Sequence, residues 1–538
     1  MAEIITLPFH SGVDVAWCRS LRTGSAGCRF LAMTKRSRTC LALTFAAMVS
    51  AAATPLGAQE TAGACAALRN LRLPDVRLTE VVDSLDQCRV TGVISKEILV
   101  VVTLPHKWNQ RLLMGGNGGF AGSINRAVAR NARLGYLTVS TNTGHADPAD
   151  GAGATWALNN PERQINYAFL AVHRTVEVAK VLAKAFYGTE PRYSYFDGCS
   201  NGGRQGLMEV QRYPEDFDGV VAGAPAIPFT NIFASFARNV RVAYPTPAYF
   251  TKPLVTQANL DLLAARVLEA CDAVDGVKDG VLADPRDCKF KLSSLPACPE
   301  DKSSANCVTS VQRHAIETIY SPLTDAEGNA IYPGQPLGGE NLAGGWSTWI
   351  VGTDSAVMHD FHYPSAQAFF AIEGARYLLF NDPAWDYTQD RADLYRESRR
   401  ISAMYDADDP NISKFGARKA KLILWHGWAD PALNPLETIK YYEQVISKNA
   451  DAREYVRLFM EPGVLHCAGG NGPSNAPWLA AIVNWVEKGI APEQLIATKQ
   501  DSTGKAILAR PLCAYPKRAV YQGSGSPNEA NSFVCRDP

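Results

Sequence analysis

Short apolar runs alternate with helix-patterned segments through much of the chain, and no other feature of the 538 residues limits the fold so strongly. Ile98 to Leu104, Leu112 to Met114, Tyr136 to Ser140 and Tyr193 to Phe196 read as strands. Between the last two, residues 166–186 (NYAFLAVHRTVEVAKVLAKAF) repeat apolar positions at helical spacing and stop at Gly188. That arrangement predicts a strand–helix–strand crossover. Gly219 to Gly223, Leu422 to Trp425 and Tyr455 to Phe459 are continuous apolar runs, the pattern of strands buried on both faces of a parallel sheet. The expected class is therefore an α/β sandwich.

Between about 226 and 405 the alternation gives way to aromatic, Pro-rich and Asp-rich sequence. We expect an inserted lid domain over 226–405, on a core built from 59–225 and 406–538, with the sheet resuming near Ala420. The start of the chain reads as an address. Lys35, Arg36 and Arg38 precede an apolar run, Leu41 to Ala53, that leads to Leu56-Gly57-Ala58. Residues 1–58 are expected to be a leader and signal peptide cleaved after Ala58, with Met33 an alternative start, so the mature protein would be secreted or periplasmic. The apolar run is shorter than the roughly 20 residues needed to span a bilayer. Lysine plus arginine number 53 and aspartate plus glutamate 53, a net charge of zero that argues against a nucleic-acid partner. Oligomeric state is not readable.

Of 13 cysteines, Cys18, Cys28 and Cys40 fall in the expected leader, which leaves ten, an even number suited to disulfides in an oxidising compartment. Sequence does not fix connectivity. Near neighbours suggest Cys65 with Cys88, Cys271 with Cys288, Cys298 with Cys307 and Cys513 with Cys535, leaving Cys199 and Cys467.

Gly198-Cys199-Ser200-Asn201-Gly202 follows a strand and precedes a helical run (Arg204 to Gln211), the setting of a nucleophile elbow. A serine hydroxyl needs a histidine to take its proton and a carboxylate to fix that histidine's tautomer. Asp430 follows the strand Leu422 to Trp425 and fits the acid, against a plain turn or capping role. His466, after the strand Tyr455 to Phe459, is the only histidine beyond Asp430 and fits the base; His426, at a strand end before the acid, is the competitor. Cys199 adjoins Ser200 and Cys467 adjoins His466, so a bond between them would clamp nucleophile to base; a thiol nucleophile at Cys199 is the rival reading. For the oxyanion, the N–H of Asn201 is one candidate donor. The loop Gly115 to Phe120 offers Gly118 or Gly119 as the second, and it lacks the lysine of a phosphate cradle.

The grouping Cys199-Ser200, Asp430, His466-Cys467 resembles the CS-D-HC arrangement of the tannase and feruloyl esterase family, a likeness that runs over nearly all of residues 60–538. The resemblance implies an α/β-hydrolase core with a large lid, and an enzyme that hydrolyses esters of aromatic acids: ferulate, gallate or the monoester of terephthalate. It also bears on Cys271 to Val281, where three carboxylates in eight residues suit a hard cation. By similarity, Asp272, Asp275 and Asp279 would bind a structural calcium ion through carboxylates, and Val277 and Val281 through carbonyls; the bland reading is a solvated Asp-Gly turn. Phe369, Phe370, Tyr377 and Trp385 of the lid, or its core, and Leu433 beside Asp430 are candidates to face an aromatic substrate. A serine peptidase and a non-catalytic, calcium-dependent binding protein are the remaining alternatives.

Overall fold

The computed structural model describes residues 63–146, 153–353, 363–388 and 394–538. The expected leader, 1–58, lies outside them. Nine strands form one mixed sheet: β1 (Val76–Asp83), β2 (Gln87–Ile94), β3 (Ile98–Pro105), β4 (Arg111–Gly115), β5 (Leu137–Thr141), β6 (Tyr193–Cys199), β7 (Gly219–Gly223), β10 (Lys421–Gly427) and β11 (Val456–Glu461). The order is β1-β2-β3-β5-β4-β6-β7-β10-β11. From β5 to β11 the pairs are parallel, and β1, β2, β3 and β5 pair antiparallel. A small hairpin, β8 (Leu323–Thr324) with β9 (Ala330–Tyr332), and two C-terminal hairpins, β12 (Gln494–Gln500) with β13 (Ala506–Cys513) and β14 (Arg518–Tyr521) with β15 (Phe533–Arg536), stand apart.

Successive side chains of a strand point to opposite faces. Met114, Phe196, Val220, Leu422 and Leu424 enter one buried cluster, while Leu113, Tyr195, Val221, Ile423 and Trp425 enter the cluster on the other face. Both faces are dry, which is why these strands read as unbroken apolar runs. The expected crossover helix begins as a π-helical turn, Asn166–Leu170, and continues as an α-helix, Ala171–Tyr187, with its apolar side in the first cluster. It ends where Gly188 adopts φ 78°, a left-handed cap that glycine takes without a Cβ clash. The crossover carries the chain from β5 past β4 to β6.

Residues 226–405 contribute no strand to the nine-stranded sheet among the described residues. They supply helices, including Phe229–Ala243, Gln257–Cys271, Ser310–Tyr320 and Ala366–Glu373, and the β8–β9 hairpin. Much of this segment packs into two clusters of its own, one of which also takes in Phe120, Tyr167 and Leu433 from the sheet side. All five disulfides suggested by the cysteine spacing are present, Cys199–Cys467 included. Among the described residues no helix is long and apolar enough to cross a membrane.

Candidate active site

The turn from β6 into the helix Asn201–Arg212 holds Ser200 at φ 66°, ψ −126°, a strained conformation that is retained only because its surroundings impose it. The Ser200 N–H donates to Gly223 O at 3.0 Å, and Ser200 O accepts from the N–H of Ala226 at 3.3 Å and Arg204 at 3.0 Å. So sharp a turn brings backbone against backbone. A Cβ at Gly198 would meet Gly202 O at 2.7 Å and one at Gly203 would meet Gly223 O at 2.4 Å, so neither position admits a side chain.

The three side chains expected to act together are in contact. His466 Nε2 lies 2.9 Å from Ser200 Oγ, and its Nδ1 lies 2.8 Å from Asp430 Oδ2. Since a carboxylate only accepts, Nδ1 carries the hydrogen and Nε2 is left bare to take the serine's proton. Asp430 is fully buried; its Oδ1 accepts the backbone N–H of Ala432 at 2.8 Å and of Leu433 at 2.9 Å. Burial opposes its ionisation, but attraction to His466 and hydrogen bonds from His426 and His466 outweigh that cost and hold the carboxyl well below the usual carboxylate range. The bond between Cys199 and Cys467 ties the β6 end to the His466 loop across 268 residues. It also takes Cys199 out of contention as a thiol nucleophile.

His426, the competing histidine, is fully buried on the far side of Asp430. Its ring nitrogens face Thr438 Oγ1, Leu433 O and Asp430, so it is no rival base.

The Gly-rich loop is fastened to the elbow helix. Asn117 N–H donates to Gln205 Oε1 at 2.9 Å, and Asn201 Nδ2 donates to Asn117 O at 3.1 Å. Gly119 lines the cavity beside Ser200 and Asn201; Gly118 is not among the lining residues, so of the two glycines considered, Gly119 is the one at the site. Arg204 had no signature in the sequence, since an arginine on a helix ordinarily reads as exposed. It is fully buried and donates to Asn201 Oδ1, Ala168 O, Tyr167 O and Tyr405 O, binding the helix to both flanking segments.

The cavity over Ser200 is lined by Phe120, Tyr167, Phe229, Phe233, Phe370, Trp349 and Leu433 among others. Phe370 and Leu433 were expected there; Phe369, Tyr377 and Trp385 are not lining residues. Neighbours on a helix point to different sides, so Phe369 packs edge-on to Phe120 and Phe370 instead. Trp385 is buried and stacks on Phe380, and Tyr377 packs against the same cluster. Trp349, which sequence reasoning missed, stands edge-on to the His466 ring with centroids 4.8 Å apart.

In the Asp-rich loop, Asp272 Oδ1 accepts from the N–H of Asp279 and Gly280, Asp275 Oδ1 from Val277, and Asp279 Oδ1 from Val281. Asp279 also meets the Arg510 guanidinium. Burial, reinforced by the charge of Asp279, pushes the Asp275 carboxyl up to about 6. Each of the three carboxylates thus has an oxygen committed to backbone N–H groups of the loop, and Asp279 is also paired with Arg510.

Glu461 ends β11, is 1% exposed, and both its carboxylate oxygens lack a hydrogen-bond partner; burial pushes its carboxyl up to about 8. Between its unfolded value near 4.3 and its folded value the native state retains a proton that the unfolded chain has released, so stability falls as pH rises through this window. Glu461→Gln removes that dependence. It is expected to raise the melting temperature at pH 8 and to change it little at pH 4.5, checked by thermal unfolding at both.

A serine, histidine and aspartate at strand ends of a mixed sheet, under an apolar cavity, define a serine hydrolase of α/β-hydrolase-like fold. The tannase and feruloyl esterase family profile matches residues 80–536, and the chain belongs to this family. Its relatives include an uncharacterized esterase of Xanthomonas campestris, 33% identical over 88% of this chain and 91% of its own length. Feruloyl esterase B of Aspergillus niger is 32% identical over 84% of this chain and 87% of its own. The crystal structure of feruloyl esterase B from Aspergillus oryzae superposes with a TM-score of 0.78 at 28% identity, covering 88% of this chain and 100% of that one. The tannin acyl hydrolase of Aspergillus niger shares the fold, with a TM-score of 0.65 at 22% identity over 86% of this chain and 90% of its own. The chain is a carboxylic ester hydrolase of the tannase and feruloyl esterase type.

Proposed function

We propose that Ser200 attacks the carbonyl of an aromatic acid ester, that His466 takes the serine's proton at Nε2 and returns it to the leaving alcohol, and that Asp430 holds the imidazole in the required tautomer. The N–H groups of Asn201 and Gly119 receive the oxyanion. Water, activated by the same histidine, then releases the acid from the acyl-enzyme. The observation that carries this reading is the unbroken chain from Ser200 Oγ to His466 to Asp430, at 2.9 and 2.8 Å, opening into an apolar cavity.

That cavity also favours one acyl class. The rings of Phe120, Phe229, Phe233, Phe370 and Trp349 and the side chain of Leu433 gain from covering a phenyl or cinnamoyl group. The three hydroxyls of gallate or the carboxylate of a terephthalate monoester would be desolvated against the same walls at a cost. Methyl ferulate is therefore expected to exceed methyl gallate and the terephthalate monoester in kcat/KM by about tenfold or more. Measured kinetics on the three esters test this, and a preference for either of the others overturns it.

The oxygen-rich loop Cys271 to Val281 is proposed to hold a structural calcium ion through Asp272, Asp275, Asp279 and the carbonyls of Val277 and Val281. Chelation with EGTA is expected to lower the melting temperature by several degrees, with recovery on adding calcium but not potassium. An unchanged melting curve in EGTA counts against the ion. Export from the cytosol is proposed from the five disulfides together with the signal-like segment before residue 59.

A further inference from the structure

Asp430 accepts three hydrogen bonds and has the ring edge of His426 close beside it, an arrangement of which the reaction uses only one part. Its Oδ1 takes the N–H groups of Ala432 and Leu433, and its Oδ2 takes His466 Nδ1 at 2.8 Å and faces His426 Nε2 at 3.2 Å. His426 Nε2 is also 3.1 Å from Leu433 O. Both groups before this nitrogen are oxygens that only accept, a carbonyl and a carboxylate, so Nε2 carries a hydrogen in either charge state of the ring. On the opposite side Nδ1 lies 2.8 Å from Thr438 Oγ1, the hydroxyl of a fully buried residue on the helix Pro435–Lys448. In the neutral ring that hydroxyl donates to Nδ1, fixing the tautomer with the hydrogen on Nε2.

We infer that His426 is a positioning residue for the esterase reaction: held by Thr438, it clamps Asp430 and the Leu433 carbonyl from behind so that Oδ2 stays aimed at His466. The geometry supports this in two ways. Without His426, Oδ2 loses the imidazole edge 3.2 Å behind it and the Leu433 carbonyl loses its hydrogen bond, so the carboxylate is held by His466 and the two Oδ1 contacts alone. Leu433, whose N–H meets Asp430 and whose carbonyl meets His426, also lines the cavity, so the same imidazole couples the acid to the wall of the acyl pocket. Because an ångström of misplacement at a general base is costly, a defect of this kind falls on the chemical step more than on substrate binding.

The inference rests on the serine-esterase reading above. The experiment compares steady-state kinetics on methyl ferulate, at one pH, for the wild-type protein, Ser200→Ala, His426→Leu, His426→Gln and Thr438→Val. His426→Leu removes the donor at similar size and is expected to lower kcat by about tenfold to a hundredfold while KM moves by less than about threefold. His426→Gln, whose amide donates toward Asp430 and accepts from Thr438, is expected to recover most of that loss. Thr438→Val leaves the imidazole in place without its tautomer partner and is expected to show a smaller fall in kcat. Recovery by glutamine separates positioning from mere packing, and if the leucine variant does not fold, the glutamine and valine variants carry the test. Full kcat in a folded His426→Leu, equal loss in the leucine and glutamine variants, or wild-type kcat in Thr438→Val overturns the inference. Retained activity in Ser200→Ala overturns instead the reading on which it rests.

Discussion

Ser200→Ala is expected to lower kcat/KM on methyl ferulate by at least about a thousandfold and to leave the melting temperature within about 2 °C of wild type. The substitution keeps the Cβ, so the turn between Gly198 and Gly202 has the same steric demands and the backbone bonds to Gly223 and Ala226 survive. Only the hydroxyl 2.9 Å from His466 Nε2 is lost. Under the proposed mechanism, activity left in the variant would report what oxyanion binding and the cavity achieve without covalent catalysis. Purified protein assayed at saturating and limiting ester separates the two contributions, and a variant with near-wild-type rates would show that Ser200 is not the nucleophile.

The second large effect is expected from Cys199→Ala combined with Cys467→Ala. In the chain-entropy description, a bond closing a loop of 268 residues constrains the unfolded chain by about 5.6 kcal/mol, an upper figure because native strain and residual unfolded structure reduce it. A fall in melting temperature of roughly 5 °C is expected. The kinetic consequence is more telling. Cys199 precedes Ser200 and Cys467 follows His466, so without the bond the Ser200–His466 separation is held only by their own hydrogen bonds and the packing of their separate loops. A fall in kcat of about tenfold, larger than the change in KM, is expected at temperatures well below the transition. Steady-state kinetics and thermal unfolding of the same preparation check both. Unchanged kcat would confine the bond to a stabilising role.

The sheet from β3 to β7, with β10 and β11, was legible because both faces of these strands are covered, and an unbroken run such as Gly219 to Gly223 has few other readings. β1 and β2 were not. β1 has only Val81 buried in Val76–Asp83, a pattern that merges with loop sequence, whereas β2 buries every second residue, Cys88, Val90 and Ile94 among them, an alternation and not the unbroken apolar run that marks the central strands. β12 to β15 form small hairpins beside the main layers, again without a continuous apolar signal. The residue pairs of the catalytic chain could be read because each of Ser200, Asp430 and His466 sits just past a strand in its own recognisable local context. The cavity could not be. Trp349 and Phe233 reach it from segments far from any catalytic motif, and only tertiary packing decides that Phe370 faces the site while Phe369 does not. Arg204 is illegible for the opposite reason, since its burial depends on carbonyls of Tyr167, Ala168 and Tyr405 that no local pattern brings near.

In the strand order, β7 and β10 are neighbours although almost two hundred residues of chain separate them. During synthesis the first seven strands emerge with β7 as an unpaired rim, its five residues apolar or glycine and destined for full burial. Ribosomes must deliver the whole intervening segment before a partner arrives, leaving the nascent protein with a sticky border for many seconds. Chaperone dependence and a tendency of truncated products to coalesce would follow from topology, independently of how stable the finished molecule is.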